Sequence, residues 1–176
     1  MKILFLDVDG VLNSERSFIA GQQRLREYPD KDDPYFLKIT KCTIDPIACD
    51  MVNRICHGLN VKVVVSSTHR MHFPDGPNKL DQLKNYFDVL GVKSEYVIGW
   101  TPRLNTKRGV EIKLWLEEHP EVKQYVILDD SCDMLPEQMG NFVRCPGETG
   151  MTAQNYREVA TLFGYRDTGI IGGEYF

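Results

Sequence analysis

The chain has 176 residues, 42% of them hydrophobic, and a net charge of −4 from 21 basic and 25 acidic side chains. That length fits one domain with an ordinary core, and the acidic balance argues against nonspecific coating of nucleic acid, which takes many Lys and Arg against phosphates. No window approaches the ~18 uninterrupted apolar residues of a membrane span.

The five cysteines are Cys42, Cys49, Cys56, Cys132 and Cys145. Their odd number, irregular spacing and lack of a CxxC pair argue against a disulfide framework or a zinc site. Reduced, mostly buried thiols and an N-terminus that enters a strand directly make a cytoplasmic protein without a leader the expectation. His57, His69, His72 and His119 form no metal cluster. His69 and His72 alone are two ligands without a third.

Residues 2–7 form a short apolar run, the pattern of a strand buried on both faces. Residues 14–43 are polar and mixed in charge, broken by Pro29 and Pro34, and read as a surface excursion with room for a short hairpin. Residues 45–58 predict a helix with Asp45 as N-cap, Pro46 at its first position and Gly58 after its end. Strands are predicted at 61–67, 94–99, 124–130 and 141–145. Helices are predicted at 78–91, closed by Gly91, at 110–119, closed by Pro120, and at 152–164. The tail at 165–176 carries no strong signal.

Compact apolar strands alternating with helices predict a doubly wound, Rossmann-like α/β fold with a parallel five-stranded sheet. Ligands then collect beyond the carboxyl ends of the strands, where the strand order reverses. The chemistry-bearing residues stand there. The first strand ends in Asp7-Val8-Asp9-Gly10, the second in Ser66-Ser67-Thr68-His69-Arg70, and the fourth in Asp129-Asp130-Ser131-Cys132-Asp133. Neighbouring strands lie ~4.8 Å apart, so Asp7 and Asp129 on adjacent strands can share a cation whose oxygen ligands sit at ~2.1 Å. Each motif alone is an ordinary turn or cap. Their joint order and strand context point to a magnesium site with a nucleophile. Lys107 and Arg108 precede the helix at 110, where a cation opposes the helix dipole unless it faces an anion.

LDVDGVLN, VVVSSTHR, KRGVEIKLWL and YVILDDSCD, spanning residues 3–133 in this order, resemble the haloacid dehalogenase (HAD) superfamily, most of whose members are magnesium-dependent phosphatases. The details look closest to phage and bacterial HAD domains related to RNA-repair proteins and to the 3′-phosphatase half of polynucleotide kinase. His69 departs from that branch, where Trp is expected. The resemblance implies the strand order 5-4-1-2-3 with a minimal cap or none. It implies Asp7 as the nucleophile that forms an aspartyl-phosphate, and Asp9 as acid and then base. Gly10 would provide the sharp turn and close backbone approach to the phosphate. Ser66, or else Ser67, would bind a phosphoryl oxygen, and Arg108, or else Lys107, would offset its charge. Asp7, Asp9, Asp129 and Asp130 would hold magnesium (Mg2+), Asp130 directly or through water, with Asp133 a further outer ligand.

Arg70 is open between a second phosphate or neighbouring nucleotide and a plain surface arginine. Arg16, Arg24 and Arg26 read as a solvated loop, and Trp100 and Trp115 as packing residues. The excursion at 14–43 is a flap too short for a large cap, so the site is expected to be open. That favours a phosphorylated nucleic-acid end, with a 3′-phosphate foremost, or a nucleotide. A small-metabolite or phosphoprotein phosphatase is the alternative, and a HAD-like binding module without turnover is a remote one.

Overall fold

The computed structural model describes residues 1–165. Its strands are β1 (Lys2–Leu6), β2 (Val61–Val65), β3 (Val97–Trp100), β4 (Gln124–Asp129) and β5 (Phe142–Arg144). They form one all-parallel sheet, as the sequence predicts, in the order β3-β2-β1-β4-β5 that the resemblance implies. The helices are α1 (Glu15–Arg26), α2 (Tyr35–Thr43), α3 (Pro46–Leu59), α4 (Lys79–Leu90), α5 (Arg108–Glu118) and α6 (Ala153–Leu162).

β1 is central, and its apolar run divides by alternation between two cores. Leu4 and Leu6 face one core with Val63, Val65 and residues of α3, α4 and α6. Ile3 and Phe5 face the other, where Ile112 and Trp115 of α5 pack. The Phe5 and Trp115 rings meet edge to face at 5.4 Å, so Trp115 is a core residue as expected. Trp100, at the end of β3, is half-buried, with the Lys79 ammonium 4.8 Å from its ring centre.

Three local expectations are corrected. Residues 14–43 contain two helices and no hairpin. Ser14 caps α1 through a reciprocal bond pair with Ser17, which apolar periodicity does not register. The two helices are tied to each other: Arg24 of α1 donates to the Cys42 carbonyl of α2 at 2.6 and 3.1 Å, so it is not a solvated loop residue. Second, Ser94–Tyr96 form a 3₁₀ turn ahead of β3. Third, α3 runs through Gly58 and ends where Asn60 takes the left-handed conformation at φ 54°. The tail expected at 165–176 lies outside the described residues except for Tyr165.

The turn after β2 is locked to α5. Arg70, only 4% exposed, donates to the Ser66 and Ser67 carbonyls at 2.8 and 2.6 Å and pairs with Glu111 of α5 at 2.5 Å. Glu111 also accepts from the Leu104 backbone N–H at 2.8 Å. The expectation of a surface arginine, or of a guanidinium free for substrate, is thus corrected: its Nη donors are spent on protein groups. Removing one member of a buried ion pair strands the other. Glu111→Ala should therefore lower stability by about 3–5 kcal/mol in urea unfolding. The double replacement of Arg70 and Glu111 by apolar residues should cost less than the sum of the two single changes.

Candidate active site

Register assembles the site. Leu6 pairs with Val65 on one side and with Leu128 on the other. The next residues, Asp7, Ser66 and Asp129, therefore stand side by side at the carboxyl ends of three neighbouring strands. All three are buried, at 4%, 0% and 0% exposure.

Burying carboxylates this way needs a counter-charge, and Arg108 at the start of α5 supplies it. Its Nη1 lies 2.5 Å from both Asp7 Oδ2 and Asp129 Oδ2. The second oxygens are held by backbone: Asp7 Oδ1 accepts from the Val8 N–H at 2.7 Å, and Asp129 Oδ1 from the Ser131 N–H at 2.9 Å. The guanidinium charge is reinforced, since its two carboxylate partners outweigh the cost of burial. Asp129 is pushed up to about 7 by burial and by the neighbouring Asp7 charge, and Asp130 is raised for the same reasons.

Asp7, Asp129 and Asp130 place carboxylate oxygens within 4.8 Å of one another, the one such cluster of potential metal-binding groups among the described residues. Three carboxylates and one guanidinium leave a formal charge of −2, which a single divalent cation balances. All-oxygen donors suit a hard cation such as magnesium. Gly10, at φ +70°, allows the turn that brings the backbone against this cluster. A Cβ there would fall on the Asp130 carboxylate.

Other predicted residues are placed differently. The Asp9 carboxylate lies outside this cluster of Asp7, Asp129 and Asp130. Asp9 Oδ2 is 3.0 Å from His69 Nε2, and Oδ1 accepts from Asn13 Nδ2 at 2.8 Å. The hydrogen bond with His69 is the main cause that holds Asp9 below the ordinary carboxylate range. The Gly10 N–H is engaged by Asn13 Oδ1 at 2.9 Å, so it is not a free donor to a phosphate. Ser67 Oγ accepts from the His69 N–H at 3.2 Å and caps the 3₁₀ turn Thr68–His72, whereas Ser66 Oγ is buried without a partner. That divides the two serines. A completely buried orphan hydroxyl is costly unless a ligand completes it.

Asp133, expected as an outer metal ligand, caps the start of α5 through one oxygen, while its Oδ1 is buried without a partner. Its Oδ2 accepts from the Arg108 N–H at 2.8 Å, and its carbonyl from the Gly109 N–H at 3.3 Å. An anion at this helix start offsets the unfavourable position of Arg108. Lys107 is exposed, so Arg108 is the cation that faces the carboxylates. The residues that spacing did not reveal are Asn13 and Tyr86. Asn13 sits four residues after Asp9, the one local clue, while Tyr86 reaches the site from α4.

The site is open. Asp9 keeps 60% of its side chain exposed. A cavity of about 280 Å³ runs past Thr68, Arg103, Thr106 and Arg108. A second, of about 390 Å³, shares Arg70, Met71 and Arg103 with it and extends to Lys79 and Trp100. No helix among the described residues is long and apolar enough to cross a membrane.

Comparison with known proteins adds one result. The family described as the HAD domain in Swiss Army Knife RNA repair proteins matches residues 3–156. Neither the curated proteins nor the solved structures give a match. The match takes in the central strand, all three acidic or hydroxylic strand ends and the start of α5, and the chain belongs to this family of HAD domains.

Proposed function

We propose that this chain is a magnesium-dependent phosphatase that works through an aspartyl-phosphate on Asp7, and that its substrate is a phosphorylated nucleic-acid end or nucleotide, a 3′-phosphate foremost. The observation that carries the reading is the buried Asp7–Arg108–Asp129 bridge beside the unpartnered hydroxyl of Ser66.

Attack of a carboxylate on a phosphate is anion on anion, so catalysis here is positioning and charge compensation. Asp7, Asp129 and Asp130 would hold magnesium, which when bound supplies positive charge to the phosphoryl group and its attacker. Arg108 adds a second positive charge, and Ser66 Oγ donates to a phosphoryl oxygen. An Asp7 oxygen forms a bond to phosphorus as the ester P–O bond breaks, and the departing oxygen takes the proton that Asp9 carries over from the water of the preceding turnover, a proton Asp9 must hold at that moment although its hydrogen bond with His69 favours the ionised form. Asp9 then takes a proton from water as that water bonds to phosphorus, and the acyl-phosphate P–O bond breaks to release phosphate and restore Asp7. The exposure of Asp9 fits this double role, since both leaving group and water must reach it.

The family description supports RNA repair as the setting. The open rim and the adjoining cavities lined by Arg103, Arg108 and Trp100 support a substrate with bulk beyond its phosphate. Together these favour a nucleic-acid end over a small metabolite or a phosphoprotein. The deciding test is phosphate release from oligoribonucleotides bearing a 3′- or a 5′-phosphate, alongside free nucleotides, sugar phosphates and a phosphopeptide. Preference for the 3′-phosphorylated end is the expected result. Preference for sugar phosphates or the phosphopeptide would overturn the substrate assignment.

Two predictions follow from the charges. Asp7→Asn should abolish turnover while the melting temperature stays close to wild type, because the amide keeps the shape and removes the attacking charge; undiminished turnover would remove Asp7 as nucleophile. The second concerns magnesium and pH. The folded pKa of Asp129 lies above its unfolded value of ~3.9, so this group costs stability as pH rises through that value, and the full cost is reached above about 7. Magnesium relieves that cost. At a hundredfold excess over Kd it should stabilise the chain by about 2.7 kcal/mol, or roughly 2–4 °C per kcal/mol at this size. The gain should be larger at pH 8 than at pH 6, and Asp129→Asn should remove most of it.

A further inference from the structure

Asp9 is oriented from below by a chain of contacts. His69 lies on the 3₁₀ turn Thr68–His72, is 8% exposed, and has Nε2 3.0 Å from Asp9 Oδ2. Its other nitrogen, Nδ1, is 2.5 Å from the Tyr86 hydroxyl of α4. That hydroxyl lies 3.3 Å from Thr40 Oγ1 of α2, and the Thr40 hydroxyl in turn donates to the Phe36 carbonyl at 2.6 Å. Burial pushes the Tyr86 phenol well above its ordinary range, so it is a hydroxyl that can donate. The phenol proton has two acceptors, Thr40 Oγ1 at 3.3 Å and Nδ1 at 2.5 Å, and we assign it to the shorter contact. That leaves Nε2 as the nitrogen that carries hydrogen and points it at the Asp9 carboxylate.

The imidazole is itself clamped. Its backbone N–H donates to Ser67 Oγ, and its ring meets His72 edge to face at 5.4 Å. His72 stacks in turn on Phe36 of α2, with ring centres 4.1 Å apart and planes 12° from parallel. A buried, doubly engaged imidazole aimed at an exposed carboxylate is the arrangement by which an outer group fixes the rotamer of a reacting one.

We infer that His69, anchored by Tyr86, is a positioning residue for Asp9. It holds the carboxylate where the leaving oxygen of the substrate departs, and it ties that orientation to helices α4 and α2. The inference rests on the phosphatase reading above and gives position 69 a task that a side chain without an N–H donor could not perform. Asn13 holds the other Asp9 oxygen, so the loss of His69 leaves Asp9 present but tethered at one oxygen only.

The test compares two esters. An activated aryl phosphate expels a stable phenolate that needs no proton, whereas a ribose 3′-phosphate expels an alkoxide that does. kcat/KM reports the steps through departure of the leaving group. His69→Phe should lower kcat/KM on the ribose ester by about 10²-fold, at least ten times more than on the aryl ester. Tyr86→Phe should show the same contrast, only weaker. His69→Gln, whose amide N–H can replace Nε2, should recover part of the loss. In an Asp9→Asn background the His69 substitution should add almost nothing, because coupled residues fail to add. Thermal melts of each variant check folding, and the Gln and Tyr86 variants serve if His69→Phe does not fold. Equal losses on both esters, or full additivity with Asp9→Asn, would overturn the inference and leave the phosphatase reading intact. A folded, magnesium-loaded wild type inert toward both esters would overturn that reading and the inference with it.

Discussion

Three carboxylates and one guanidinium at the end of the central strand set the terms for this molecule. Like charges this close repel, and in a dry strand end the repulsion is strong. Arg108 makes the cluster tolerable, and much of the surrounding structure holds Arg108 in place. Asp133 caps the helix that begins there. Gly109 lets that helix start press against Leu135 and Gln138, where any Cβ would collide, and Gln138 locks the contact by donating to the Gly109 carbonyl at 2.8 Å. One turn on, Glu111 grips Arg70 and so fixes the segment that carries Ser66.

The site divides into a rigid floor and an accessible rim. Asp7, Ser66 and Asp129 are buried, bound by backbone or by Arg108, and set by sheet register. Asp9 stands above them in solvent, steered by Asn13 and by His69, which Tyr86 of α4 anchors. This division suits a two-step displacement. In the proposed reaction the attacking and charge-bearing groups would keep a fixed geometry, while the proton-transferring group would meet first a leaving oxygen and then a water. Helices α1 and α2 flank this rim without the bulk of a separate cap.

Much of this was legible in the sequence because the signals are local and repeated. Apolar runs gave the strands, helical spacing between them gave the parallel sheet, and the strand-end rule then grouped Asp7, Ser66 and Asp129. The misreadings at Arg70, Asp133 and His69 share a cause: the deciding partner lies far along the chain. Arg70 looks like a free guanidinium until Glu111, 41 residues on, is brought beside it. Asp133 looks like one more acid of a metal motif until the start of α5 docks onto it. His69 was only a departure from an expected tryptophan, since nothing near it reveals that Tyr86 and Asp9 flank its two nitrogens. The helices in 14–43 were hidden because α1 is mostly exposed and is started by serine caps, so its polar composition masks its regularity.

The central claim, that Asp7 attacks phosphorus, is tested most directly by stopping turnover in acid, reducing any acyl-phosphate with borohydride and sequencing the N-terminal peptide by mass spectrometry. The account predicts that position 7, and no other acidic residue, is converted to the reduced alcohol, and only when substrate and magnesium are both present. Steady turnover with Asp7 left unmodified, or conversion at Asp9 or Asp129 instead, would contradict it.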